Sequence, residues 1–335
     1  MNESTQARGI QCAACSAKLR PNTSFHGTAY GRPRSQALGV MTHNLPRALA
    51  FLLITFASLC RSETHAFHWV TGSVGGLSER NLAMLIPVAI GNKTCDMQID
   101  TGANGSVIWH GESNTNEPNK PLTVRLGTIE ATTTAGPGVL QAIERCITGS
   151  PVGSLGNAFF ERGTVAIDSV RQQLSYQPGS GLAGNKTAQR FFYATWAPAD
   201  ATWMPTGGHI LIELQTKQFG KGYGLLDTGA ALAELGVLDE LWWKRLVGRD
   251  AMTGKNTTRF TVNSWGKEVE CYLAQTTADV TLDTFQLAIR NANYCPALPF
   301  RPPVRVVGIV GMYPFRSSVL TIDYPGRLWL VQESR

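Results

Sequence analysis

No apolar run in this sequence is long enough to cross a bilayer. The longest, Ala48–Leu59, covers 12 residues, where a spanning helix needs about 20. No G-x-S-x-G, H-E-x-x-H or P-loop pattern occurs. That removes the serine-hydrolase elbow, the zinc-peptidase helix and the phosphate-cradling loop. Histidine is scarce: only His68, His110 and His209 follow residue 66, none at ligand spacing from another. They read as polar surface or turn residues, and neither a metal nor a cofactor is expected. A basic surface is missing as well, although the chain carries +6 with a pI near 9.0. Residues 1–66 hold seven of the 30 basic and two of the 24 acidic side chains, and the remaining 23 and 22 nearly cancel. Nothing is left for a phosphate backbone to find, so nucleic acid is excluded as a partner.

What is present suffices for folded cores. With 43% hydrophobic and 16% charged residues the chain is not a disordered one. Its 335 residues allow about two domains.

Arg47 precedes the apolar run and Thr64-His65-Ala66 follows it. A charged start, an apolar stretch and a small residue at the end read as a secretory signal. Residues 1–66 are therefore expected to be a leader, with its hydrophobic region at 48–59. Met41 stands at the right distance to be the true start, and bulky Leu59 ahead of Cys60 argues against a lipid anchor. The mature chain is expected in a secreted or otherwise exported state, with no stable membrane insertion. Cys12, Cys15 and Cys60 fall in the leader, and Cys12-x-x-Cys15 lacks the second ligand pair that zinc needs. Cys95, Cys146, Cys271 and Cys295 remain. Four cysteines allow three pairings; Cys95–Cys146 with Cys271–Cys295 would staple each half separately.

The mature part repeats itself. Ile86-Pro-Val88-Ala-Ile90 leads through a turn to Met97-Gln-Ile99-Asp100-Thr101-Gly102-Ala103, then Val107-Ile108-Trp109. Ile210-Leu-Ile212-Glu-Leu214 leads likewise to Gly224-Leu225-Leu226-Asp227-Thr228-Gly229-Ala230, then Leu232. Alternating apolar residues make each a pair of strands ending at Asp-Thr-Gly-Ala. The copies also close alike. Leu155-Gly156 precedes Ile167-Asp168 as Val310-Gly311 precedes Ile322-Asp323, with twelve positions from glycine to aspartate in both. Two tripeptides with matching tails are hard to obtain by chance.

On these residues the chain resembles the pepsin-like aspartic peptidases, with two Asp-Thr-Gly lobes sharing one cleft. The Asp-Thr-Gly-Ala form and the short first lobe also resemble the retropepsin branch. The resemblance covers about 82–178 and 208–332. It implies an all-β, bilobal acid-protease fold with a central cleft and few short helices. The organisation that follows is a leader (1–66), a short N-terminal segment (67–81), an N-terminal lobe (82–178), an inter-lobe connection (179–207) and a C-terminal lobe (208–335). It further implies an aspartic endopeptidase acting on a peptide or protein substrate as a monomer. The rival expectation is a catalytically inactive pepsin-fold protein that binds or inhibits a partner; such relatives usually lose an aspartate or the glycine beside it, and this chain keeps both.

Hydrolysis without metal or nucleophilic side chain needs a base and an acid beside one water, and two facing carboxylates supply both. Like charges forbid double ionisation, so Asp100 and Asp227 would hold one proton over a window of pH. Thr101 and Thr228 can hydrogen-bond across the junction, while Gly102 and Gly229 let the turns approach without a Cβ clash. Pepsins commonly carry Ser or Thr where Ala103 and Ala230 stand. Without that hydroxyl the carboxylates ionise less readily, and an optimum less acidic than pepsin's is expected. Ala135-Gly136-Pro137-Gly138 suits a mobile hairpin tip and is the candidate flap. Asp168 and Asp323 are expected to shape closing hairpins. Val237, Leu238, Leu241, Trp242 and Leu246 recur at helical spacing after the second turn. Phe191, Phe192, Tyr193, Trp196 and Trp203 are expected where the lobes meet, either packing the junction or lining apolar subsites, which the sequence does not separate. Asn92, Asn185 and Asn256 head glycosylation sequons, and Asn104 does too, though so close to Asp100 that a glycan would crowd the turn.

Overall fold

The computed structural model describes residues 62–74, 77–108, 120–135, 141, 143–195, 207–216, 220–230, 234–248, 252, 254–264, 267–277, 280–282, 285, 289–296 and 306–334. The fold is all-β, in three sheets. A seven-stranded sheet is drawn entirely from residues 68–155, and a nine-stranded sheet from residues 192–310. The third sheet has six strands and is shared. Its order is Glu63–Ala66, Gln173–Pro178, Gly163–Asp168, Ser318–Asp323, Leu328–Glu333 and Gln189–Arg190. The closing hairpins of the two halves meet there, with Leu320 opposite Ile167 and Ile322 opposite Val165, all four buried. Burying these β-branched and leucine side chains from both halves gives one continuous core between them.

The internal duplication is visible in the hydrogen-bond register. In the first half, strand Leu77–Ile90 runs antiparallel to Lys93–Ile99, and Gly153–Leu155 then crosses parallel to Lys93–Ile99. In the second, His209–Thr216 runs antiparallel to Gly220–Leu226, and Val306–Val310 crosses parallel to Gly220–Leu226. Asp168 and Asp323 do shape the hairpins that follow. Asp168 accepts the backbone N–H groups of Val170 and Arg171 at 3.1 and 2.9 Å, and Asp323 accepts that of Gly326 at 2.8 Å.

The fold begins earlier than the leader boundary at residue 66 allows. Glu63–Ala66 is a paired strand, and Glu63 accepts hydrogen bonds from the Thr128 N–H (3.0 Å) and hydroxyl (2.6 Å). Within 67–81, strand His68–Val74 folds back on the start of strand Leu77–Ile90.

The described residues include two bounded α-helices, α1 (Asn157–Phe160) and α2 (Glu240–Val247), besides a 3-10 helix at Tyr313–Phe315 and helical residues Gln141, Ile143 and Glu144. The helical pattern expected from Val237 starts later and faces differently. Asp239 caps the helix by accepting the Trp242 N–H at 2.9 Å, which leaves Val237 in strand Leu235–Val237. With that start, Trp242, Trp243 and Leu246 face inward, and Leu241 is 65% exposed. Phe191 is buried and meets Tyr324 edge-on, whereas Phe192 is exposed and packs on Tyr223. Trp196 and Trp203 lie outside the described residues. No helix among the described residues is long and apolar enough to cross a membrane.

Candidate active site

Each Asp-Thr-Gly-Ala turn hangs from the strand before it and is crossed by a parallel strand behind it. The Asp100 N–H donates to the Leu155 carbonyl at 3.0 Å, and the Asp227 N–H to the Val310 carbonyl at 2.9 Å. These bonds hold each turn at the C-terminal end of an interior strand of its sheet.

The threonines lock the turns to one another. The Thr101 hydroxyl donates to the Leu226 carbonyl (2.9 Å) and accepts from the Thr228 N–H (3.0 Å). The Thr228 hydroxyl donates to the Ile99 carbonyl (2.9 Å) and accepts from the Thr101 N–H (2.9 Å). Each hydroxyl thus uses its donor and acceptor across the junction. All four bonds are buried, where leaving any group unpaired would cost about 1–3 kcal/mol.

This lock brings the carboxyl groups together. A Cβ on Gly102 would collide with the Asp227 carboxyl group, and one on Gly229 would sit 2.8 Å from Asp100 Oδ1. Only glycine allows that approach. Asp227 Oδ1 accepts the N–H groups of Gly229 (2.8 Å) and Ala230 (3.2 Å), and Asp100 Oδ1 accepts that of Ala103 (3.2 Å). Asp100 and Asp227 are 1% exposed and adjoin, since the one Cβ position on Gly229 lies 2.8 Å from Asp100 Oδ1 and 3.1 Å from Asp227 Oδ1. Their remaining oxygens, both Oδ2, are buried without a partner.

Burial pushes both carboxyl groups above the usual carboxylate range. For Asp100 the Ser154 hydroxyl, Asp227 and the N–H groups of the turn pull the other way. For Asp227 burial is reinforced by the charge of Asp100, and the Gly229 and Ala230 N–H groups oppose it only partly, leaving Asp227 well above its ordinary value. The pair can share one proton.

Asn157 and His209 support the turns in ways that their sequence context does not announce. The fully buried Asn157 amide donates to the carbonyls of Thr101 (2.7 Å), Ala103 (3.1 Å) and Gly208 (2.8 Å), and its oxygen accepts the Tyr324 hydroxyl (2.8 Å). It therefore binds the first turn to the second half. His209 is not a surface residue. It is 7% exposed at the start of strand His209–Thr216 and hydrogen-bonds the backbone of Gly102; burial drives its pKa down to about 4. Gln98 completes the cross-ties by donating to the Gly229 carbonyl at 3.2 Å.

Of the other anticipated residues, Ala135 ends strand Ile129–Ala135 opposite Lys120. Gly136, Pro137 and Gly138 lie outside the described residues. Cys95 pairs with Cys146 and Cys271 with Cys295 at bonding distance, the Cα atoms 5.6 and 4.3 Å apart. Asn104 is tied down by its carbonyl, which accepts the Ala158 N–H at 2.8 Å. Among the described residues no group of three or more His, Cys, Asp or Glu side chains is placed to hold a metal ion. Compared with known proteins, the chain matches no family and none of the curated proteins.

Proposed function

We propose that the protein is an exported aspartic endopeptidase whose two related lobes share one active site at Asp100 and Asp227. The observation that carries this reading is the pair itself: two buried, adjoining carboxyl groups, held by reciprocal threonine bonds and approached only by glycine. Evolution of a binding surface alone gives no reason to bury two like-charged groups against each other, because burial and mutual repulsion both cost stability. Keeping them is intelligible when one proton must be held ready between them.

In this reading a water sits between the carboxyl groups and the scissile peptide. The ionised aspartate takes a proton from the water as its oxygen attacks the carbonyl carbon, while the protonated aspartate donates to the carbonyl oxygen. Collapse of the tetrahedral intermediate breaks the C–N bond, with proton transfers running back through the same two groups. The paired cysteines fit an oxidising, exported setting.

A statine-type compound, whose hydroxyl mimics the tetrahedral intermediate, tests the site independently of substrate choice. It is expected to raise the thermal unfolding midpoint of the wild-type protein and leave the Asp100→Asn variant unmoved. Equal shifts, or none in either, would count against a catalytic pair.

A further inference from the structure

The two halves set different side chains at matching positions around the paired carboxyl groups. The matching follows from the strand register. Gln98 lies beside Ser154 and Ile99 beside Leu155, just as Leu225 lies beside Ile309 and Leu226 beside Val310. One step further on, the Asn157 N–H donates to the Ala103 carbonyl as the Met312 N–H does to the Ala230 carbonyl. Gln98, Ser154 and Asn157 in the first half therefore stand where the second half has Leu225, Ile309 and Met312. All six are buried.

The wall next to Asp227 is apolar, since Leu225 and Ile309 belong to a cluster packed against Ala230. The wall next to Asp100 is polar. Ser154 is fully buried and pairs with Gln98, two residues before Asp100 and so on the same face of the strand, and its Oγ has no hydrogen-bond partner. Asp100 Oδ2 is buried and lacks a donor in the same way. A hydroxyl with a proton to give and a carboxylate oxygen with none to accept are complementary, and pairing them relieves two unsatisfied groups at once. Two carboxyl groups in environments of opposite polarity are pushed apart in acidity, which separates acid from base.

We infer that Ser154 supplies Asp100 with the hydroxyl that Ala103 lacks, so that Asp100 carries the negative charge of the pair and Asp227 keeps the shared proton. The consequence rests on the peptidase reading: Asp100 takes the proton of the attacking water, and Asp227 gives its proton to the carbonyl oxygen. When the C–N bond breaks, Asp227 recovers its proton from the new hydroxyl and Asp100 passes its own to the departing amine, restoring the starting state. Ser154 acts through Asp100 and is a positioning residue. The other titratable groups at the site are Asp227 across the junction and His209 behind the Gly102 turn, which is neutral above about pH 4.

The test is a titration of the aspartate carboxyl groups by carbon-13 NMR in the purified protein, with Asp100 assigned from the Asp100→Asn variant. Wild type, Ser154→Ala and Ser154→Thr are compared, each checked for native near-UV circular dichroism. The first deprotonation of the pair is expected to belong to Asp100. It should shift upward in pH in Ser154→Ala, and Ser154→Thr, which keeps the hydroxyl, should restore it. Superimposable curves for wild type and Ser154→Ala, or a first deprotonation on Asp227, overturn the inference. Peptide cleavage is followed separately. A wild type that cleaves nothing sinks the peptidase reading while the titration still decides Ser154. Cleavage with an acid limb unmoved by Ser154→Ala sinks the assignment and leaves the peptidase reading standing.

Discussion

Asn157 shows how much of the site depends on single polar atoms. Its amide satisfies three carbonyls and its oxygen one hydroxyl, all buried. At about 1–3 kcal/mol for each buried group left unpaired, Asn157→Ala is expected to cost at least about 3 kcal/mol in urea unfolding; a loss below about 1 kcal/mol would mean the network is slack. His209 adds a pH dependence of definite sign. Its folded pKa of about 4 lies below the ordinary 6.5, so the unfolded chain binds the extra proton first. Stability from this residue is full above pH 6.5 and declines on acidification to pH 4, by about 3 kcal/mol in all. His209→Gln should flatten that slope relative to wild type. The aspartate pair works in the opposite direction. Because both folded pKa values are raised, charging the pair costs stability as pH rises above the ordinary carboxylate range. Asp227→Asn is therefore expected to raise the urea midpoint at pH 7, and a lowered midpoint would contradict the burial argument. None of Ser154, Asn157 and His209 was legible beforehand as a support of the site. A lone Ser, Asn or His has no periodicity, and only the register that sets Ser154 against Ile309 and Asn157 against Met312 gives it meaning.

At the scale of elements, what was legible is what repeats. Apolar residues alternating every second position, followed by Asp-Thr-Gly-Ala, marked Lys93–Ile99 and Gly220–Leu226, and the two apolar-Gly tails marked the strands that cross behind them. Edge strand Glu63–Ala66 was not legible, because Glu-Thr-His-Ala has no apolar alternation and its pairing partner lies more than a hundred residues away. A chain beginning at Phe67 loses that strand and the Glu63 bonds to Thr128, so it should unfold at lower temperature than one beginning at Ser62. Equal midpoints would make the strand dispensable. Helix α2 was anticipated, but from Val237 rather than from its cap; the apolar spacing runs through the strand before it, and only the Asp239 side chain decides where the helix starts. Asp239→Ala is expected to cost about 1 kcal/mol in the same unfolding assay.

Across the whole molecule, the duplicated pattern became two sheets, each confined to one half, and a third sheet to which both halves contribute. Among the described residues the halves are hydrogen-bonded to one another in the shared sheet, through the crossed threonines and through the Gln98 and Asn157 cross-ties. Each half also carries its own cysteine pair, closing sequence separations of 51 and 24 residues. On the chain-entropy account such loops contribute about 4 and about 3 kcal/mol respectively. All of this serves to hold Asp100 and Asp227 together, so the most direct measurement is cleavage of a mixed peptide library by the purified protein across pH 3–7, beside Asp100→Asn and Asp227→Asn. Wild type should cleave internal peptide bonds, with its optimum above pH 3, and each single variant should lose nearly all of that activity while retaining its fold. Equal cleavage by wild type and variants, or none by any of them, would contradict the account.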